Sequence, residues 1–140
     1  LPSMMEYVEE GRMRIEWRDV NVFGSESEQA SKAAYAAALQ DEYWAYHDAL
    51  FADGQHRPAD QLSAEALIDL ADRLGLDAAQ FEEDMESPET QTMIDTYAQT
   101  GLDLGAFSTP TFLVAGEPIV GAQPTDVFVD TVEAALAAND

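Results

Sequence analysis

Phe107-Ser108-Thr109-Pro110-Thr111-Phe112-Leu113-Val114 is the stretch on which the fold turns. A polar loop ends in Thr-Pro and runs straight into an apolar strand. A turn at Ala115-Gly116 and a second strand, Pro118-Ile119-Val120-Gly121, follow. Proline removes a backbone donor, so its ordinary place in a sheet is the opening of an edge strand, with a trans bond. An X-Pro bond also tolerates cis far better than any other peptide bond. A Thr-Pro at a strand entrance is thus open to both geometries on local grounds.

Working outward, the 140 residues suit a single domain with a real core. The charge sets the chain apart: 28 acids face 6 bases, Lys32 is the only lysine, and the net charge is −22. A field of that sign repels nucleic-acid phosphates and anionic membranes, so neither is expected as a partner. A solvated, highly charged surface is the plain reading of the acids, and a high-salt habitat would favour the same composition. No apolar run approaches the ~20 residues of a membrane helix, so membrane insertion is not expected. No signal peptide is visible, and the sequence starts at Leu1-Pro2, as a processed or excised piece would. There is no cysteine, hence no thiol chemistry and no thiolate metal site within these residues.

Pro2 to Glu10 reads as the tail of a helix stopped at Gly11. Met13, Ile15 and Trp17 alternate with Arg12, Arg14, Glu16 and Arg18, which predicts a strand running to about Val22. Ser25 and Glu28 have the spacing of a capping box before an alanine-rich helix, Gln29 to Leu39. A second helix, Asp41 to Phe51, sets Trp44, His47 and Phe51 on one face. Ser63 is expected to cap a helix from Ala64 to Leu74, stopped by Gly75. Asp77, with Gln80 at the reciprocal position, is expected to cap the next. Ser87-Pro88 starts another helix, closed at Gly101 or Gly105, and Pro124 opens the last. The expected fold class is α/β, with strands flanking a large helical block.

Familiar catalytic patterns are missing. There is no Gly-rich phosphate loop, no HExxH and no GxSxG. Glu9-Glu10 and Glu82-Glu83 are neighbours in sequence, and neighbours on a helix do not face one another. His47 has no second ligand at a metal-motif spacing, so a packed histidine bonded to a neighbour is expected. His56 sits in the polar loop between Asp53 and Gln61 and carries no signal. No metal or cofactor is expected.

Thr109-Pro110-Thr111-Phe112-Leu113-Val114, then Gly116 and Gly121-Ala122-Gln123-Pro124, resembles the C-terminal half of DsbA-like proteins of the thioredoxin superfamily. Three further stretches agree in the same order. Arg14 to Phe23 resembles the strand after the active-site helix. Ser27 to Phe51, with Gln40 and Tyr43-Trp44-Ala45-Tyr46-His47-Asp48-Ala49-Leu50-Phe51, resembles the start of the inserted helical domain. Leu74-Gly75-Leu76-Asp77 through Phe81 and Asp84 resembles its middle. The similarity spans essentially the whole chain and is closest in flavour to secreted actinobacterial members.

The resemblance implies a thiol–disulfide oxidoreductase scaffold: a thioredoxin-like fold over residues 1–140 with a helical insertion at about 25–105. In such proteins a Cys-x-x-Cys pair sits at a helix N-terminus, where the dipole lowers the thiol pKa. The Thr-Pro bond opposite it is cis, and its neighbours meet the substrate peptide. Carried over, that implies Thr109 and Pro110 as the active-site loop, with Ser108 and Thr111 beside them, and protein or peptide thiols and disulfides as partners. An extracytoplasmic or secreted location is implied in the same way.

The Cys-x-x-Cys and its preceding strand would lie before Leu1. That strand is central in the family, between the strand at Met13–Val20 and the strand at Thr111–Val114. Either these residues are expected to be part of a longer chain, redox-inactive alone, or another copy completes the sheet by swapping or dimerisation. A cysteine-free peptide-binding module is the alternative function. A glutathione-dependent isomerase of the kappa-class type fits less well.

Overall fold

The computed structural model describes residues 2–20 and 24–139. Seven α-helices and two strands follow in order among these residues: α1 (Pro2–Glu9), α2 (Ser25–Leu39), α3 (Tyr43–Leu50), α4 (Ala64–Arg73), α5 (Ala78–Glu86), α6 (Pro88–Asp103), β1 (Thr111–Val114), β2 (Glu117–Val120) and α7 (Thr125–Asn139). Two short 3-10 turns, Ala52–Gly54 and Ala59–Gln61, occupy the loop after α3. The chain forms two compact units. One joins the residues up to Arg18 with those from Gly101 onward; the other runs from Asp19 to Thr100.

The helical unit is built on the alanines of α2. Ala33, Ala36 and Ala37 are wholly buried, and α2 packs on α3, α4 and α5. Small side chains let helix axes approach closely, so one helix serves three neighbours. Around them lie Tyr46, Leu50, Leu67, Leu70, Leu76, Phe81 and Met85. The Tyr46 and Phe81 rings pack at 5.2 Å. The Tyr46 hydroxyl donates to the Leu67 carbonyl at 2.8 Å, which satisfies its one polar atom inside the core.

Helix ends follow the expected residues in several places. Ser63 Oγ accepts from the Ala66 amide at 3.3 Å, Asp77 Oδ1 from Gln80 at 3.1 Å, and Ser87 Oγ from Thr90 at 3.1 Å. Gly75 (φ 84°) ends α4 with paired bonds, Gly75 N to Asp72 O and Leu76 N to Ala71 O. That is the glycine-terminated left-handed cap. Of the two glycines expected to close α6, Gly105 does so (φ 79°), while Gly101 stays helical. Asp41 performs the same task at the end of α2, at φ 62°, with Glu42 N bonded to Ala37 O at 2.9 Å. Here a residue with a Cβ holds a conformation that glycine adopts at less cost.

Three expectations need correction. The α2 cap is Gly24 rather than Ser25: α2 begins at Ser25 itself, and no side chain bonds the terminal amides. Ser25 Oγ instead donates to Glu26, and Glu28 pairs with Lys32 at 3.2 Å. Gln80 does not reach back to Asp77; its side chain bonds Asp84 at 3.0 Å. The reciprocal bond comes from Gln40, whose Oε1 accepts from Asp77 N at 2.9 Å while its Nε2 donates to Asp77 O at 3.1 Å. A residue 37 positions away completes the cap. Finally, Arg12 to Val20 is not a strand. The alternation survives in burial, with Met13 and Ile15 half-buried between exposed Arg12, Arg14 and Glu16. A strand also needs a ladder partner, and none pairs there among the described residues. The rest of that expected strand, Asn21 and Val22, lies outside them.

In the other unit, α1 packs on α7, and α7 packs on β1. The Tyr7 hydroxyl donates to Glu133 at 2.7 Å, and Arg12 reaches the same carboxylate at 3.7 Å. β1 and β2 form an antiparallel hairpin with Thr111 opposite Val120, Phe112 opposite Ile119, Leu113 opposite Pro118 and Val114 opposite Glu117. Ala115 (φ 49°) and Gly116 (φ 95°) form its two-residue turn, both left-handed as the twist of a hairpin demands. Among the described residues the fold is α/β and mostly helical, with this small sheet.

Candidate functional site

The loop between α6 and β1 is held at both ends. After Gly105, the Ala106 amide bonds Gly101 O at 2.8 Å and the Phe107 amide bonds Gly105 O at 2.9 Å. At the far end the Gly121 amide donates to Pro110 O at 2.8 Å, which extends the hairpin pairing one step past Thr111. Phe112 packs edge-on against Phe128 at 4.8 Å and ties β1 to α7.

Between these anchors the expected site residues are contiguous at the surface. Ser108, Thr109 and Pro110 are exposed and Thr111 is half-buried. The Thr109–Pro110 bond is cis, the geometry that the resemblance implied over the ordinary local one. Thr111 Oγ1 donates to Ser108 O at 2.6 Å and closes the loop on itself.

Two features here escaped sequence reasoning. Phe107 is 80% exposed at the head of the loop; nothing local in the sequence marks an aromatic that finds no cover. Gly121, named in the sequence only as part of a motif, anchors Pro110 from the far side of the hairpin, at a φ of 80° that favours glycine.

Pairing alternates along an antiparallel ladder. Because Pro110 is bonded to Gly121, the residues whose backbone groups turn away from the partner strand are Thr111 and Leu113 on β1 and Pro118 and Val120 on β2. Among the described residues both N–H groups of the outer β1 edge lack a backbone partner, whereas the β2 edge offers the Val120 N–H and nothing from Pro118. Leu113 is 51% exposed on the open side. An open groove of about 670 Å³ lies along β2 and α7, lined by Val120, Val127, Asp130 and Ala134 among others.

His47 is elsewhere, in the helical unit. Its ring stacks on Tyr43 at 5.8 Å and meets Phe51 at 4.9 Å, and Nδ1 lies 3.4 Å from Asp48. No group of three metal-ligating side chains occurs among the described residues. No helix among them is long and apolar enough to cross a membrane.

Comparison with known proteins gives one consistent answer. The profile of the DSBA-like thioredoxin domain family matches residues 3–133. A thioredoxin-like oxidoreductase from Silicibacter pomeroyi superposes with a TM-score of 0.76 at 28% identity, over 99% of this chain and 79% of that one. The thiol-disulfide exchange protein alpha-DsbA2 from Wolbachia pipientis superposes at 0.77 and 23% identity, over 95% and 71%, which speaks to fold alone. Two curated proteins named Na(+)/H(+) antiporter NhaA contain similar segments, at 33% identity over 105 residues in Herminiimonas arsenicoxydans and over 132 in Salinispora arenicola. The match covers 75% and 89% of this chain but only 16% and 19% of those proteins. With the hairpin, the cis Thr109–Pro110 bond and a family match over nearly its whole length, the chain belongs to the DSBA-like thioredoxin domain family.

Proposed function

We propose that this chain is the helical and cis-proline portion of a domain that exchanges disulfides with protein substrates. Ser108, Thr109, Pro110 and Thr111 face the substrate peptide, and the reactive sulfurs come from a segment outside these residues. The observation that carries the reading is the exposed Ser108–Pro110 loop leading into an open β1 edge, within a chain that matches the family over residues 3–133. The chemistry requires a thiolate, and this sequence contains no cysteine to form one. The solved Silicibacter relative extends beyond the match, with 79% of it covered, which leaves room for such a segment. The residues 1–140 act as one domain with a helical insertion at about 25–105. Its work is extracytoplasmic, as is typical of the family, and the antiporter matches support a module that functions within longer polypeptides.

An insulin-reduction assay tests this. The chain alone is expected to leave the insulin disulfides intact. Extended by its natural upstream sequence, it is expected to carry a Cys-x-x-Cys and to reduce them. An extended protein that has the cysteine pair yet neither reduces nor oxidises a test disulfide overturns the reading.

The absence of cysteine favours a second reading, a module that holds extended peptides without redox chemistry. An upstream sequence without cysteine, together with peptide-induced amide shifts at Ser108–Thr111, decides for it. A second copy completing the sheet is the remaining route to an intact edge, and a sedimentation measurement of the chain reads it directly.

A further inference from the structure

Six basic side chains face 28 acids in this chain. Four are ion-paired: Arg12 with Glu10 and Glu133, Arg14 and Arg18 with Glu16, and Lys32 with Glu28. The other two, Arg57 and Arg73, have no carboxylate partner among the described residues. In so acidic a chain that is unexpected, and both line the same concavity. It has a volume of about 250 Å³ and is completed by Gln61, Ala66 and Asp69.

The two guanidinium groups arrive there for different reasons. Arg57 is half-buried and fixed: Nε donates to Ala49 O at 3.2 Å, at the open carbonyl end of α3, and Nη1 reaches Gln61 Oε1 at 3.5 Å. Three of its five N–H donors stay uncommitted. Arg73 closes α4, where its charge complements the terminal carbonyls. Ala66, Asp69 and Arg73 are three and four residues apart on α4, so they share one face. Both cations also act on the buried Tyr46 phenol, where they oppose the upward push of burial on its pKa. They therefore converge on one small region. Asp69 subtracts one charge and leaves the cavity with a single net positive charge.

We propose that Arg57 and Arg73 form a binding site for a small oxyanion of the carboxylate or phosphate class. The planar fork of arginine suits two-oxygen recognition. The volume is ample for a small oxyanion, and a surface of net charge −22 rejects polyanions. The site is independent of the Pro110 loop and of the redox reading.

The test is a titration of the chain with inorganic phosphate and, separately, acetate, followed by the arginine Nε–Hε resonances. Inert salt at about 0.15 M keeps the Debye length near 8 Å and screens distant acids. Saturable shifts of Arg57 and Arg73 with either probe are expected, and the tighter of the two names the ligand class. Arg73→Gln is expected to weaken binding about tenfold or more, and Asp69→Asn to tighten it several-fold by removing the opposing charge. Arg73 is exposed, so its variant should keep the thermal midpoint; Arg73→Lys, which keeps the charge but not the fork, should fall between. Shifts that grow linearly without saturation for both probes overturn the proposal. So does saturable binding that Arg73→Gln leaves unchanged.

Discussion

The two units of this molecule bury their apolar side chains to different degrees. In the helical unit Ala33, Ala36, Ala37, Tyr46, Leu67, Ala71 and Phe81 are sealed from water. That unit exposes Leu39, Trp44 and Phe51 as well. Among the described residues of the hairpin unit only Met4, Ile119 and Val132 are buried, while Leu102, Leu104, Phe107, Leu113 and Val120 stand exposed. Burial is worth roughly 25 cal/mol per Å² of apolar surface. The first unit therefore has a large apolar core of its own, and the second leaves a greater share of its apolar side chains open to water.

The sharpest way to break the contrast is through Phe81. Phe81→Ala empties the centre of the helical core and is expected to cost about 3–5 kcal/mol, read as a loss of denaturant midpoint. Phe107→Ala, at an exposed position, should move the same midpoint by less than about 0.5 kcal/mol. A Phe107 effect as large as that of Phe81 would erase the distinction.

Tyr46 tests whether the core polar atom is satisfied as described. Tyr46→Phe removes the bond to Leu67 O and should cost about 1–2 kcal/mol, since an acceptor is left buried and unpaired. It also has a pH signature. Burial raises the Tyr46 pKa in the folded state, with Arg57 and Arg73 opposing. The unfolded value is near about 10. The folded protein thus holds this proton more tightly. The associated stability is full below that value and is lost as pH rises through the raised folded pKa. Chemical denaturation above about pH 10 should fall less steeply for Tyr46→Phe than for the parent.

Smaller effects refine the picture within the helical unit. Gln40→Ala removes both bonds of the clamp on Asp77 and should cost about 1–2 kcal/mol; Gln80→Ala, which touches only Asp84, should cost a few tenths of a kcal/mol. Asp41→Gly relieves a left-handed residue at the end of α2 and should stabilise by about 0.5–1 kcal/mol, whereas Gly75→Ala should destabilise by about as much.

What could be read in the sequence was local. Ser63, Asp77 and Ser87 cap the helices expected of them because a cap needs only the next three residues. The Pro110 loop was legible because several separate stretches agreed with one family. What could not be read depends on distant partners. The alternation describes two faces at Met13 and Ile15 but fails at Trp17, which is exposed; a strand is a property of two segments, and none pairs there among the described residues. The Gln40 clamp and the meeting of Arg57 with Arg73 come from tertiary packing. Tyr46, rather than Trp44, forms the centre of α3 packing, and helical periodicity alone does not say which stripe faces α2.

Pro118 gives the hairpin a valence. One lateral edge has donors at Thr111 and Leu113, whereas the other keeps the Val120 donor alone, because Pro118 has none. The two edges are therefore unequal templates: a strand added beside β1 meets two donors, and one added beside β2 meets half as many.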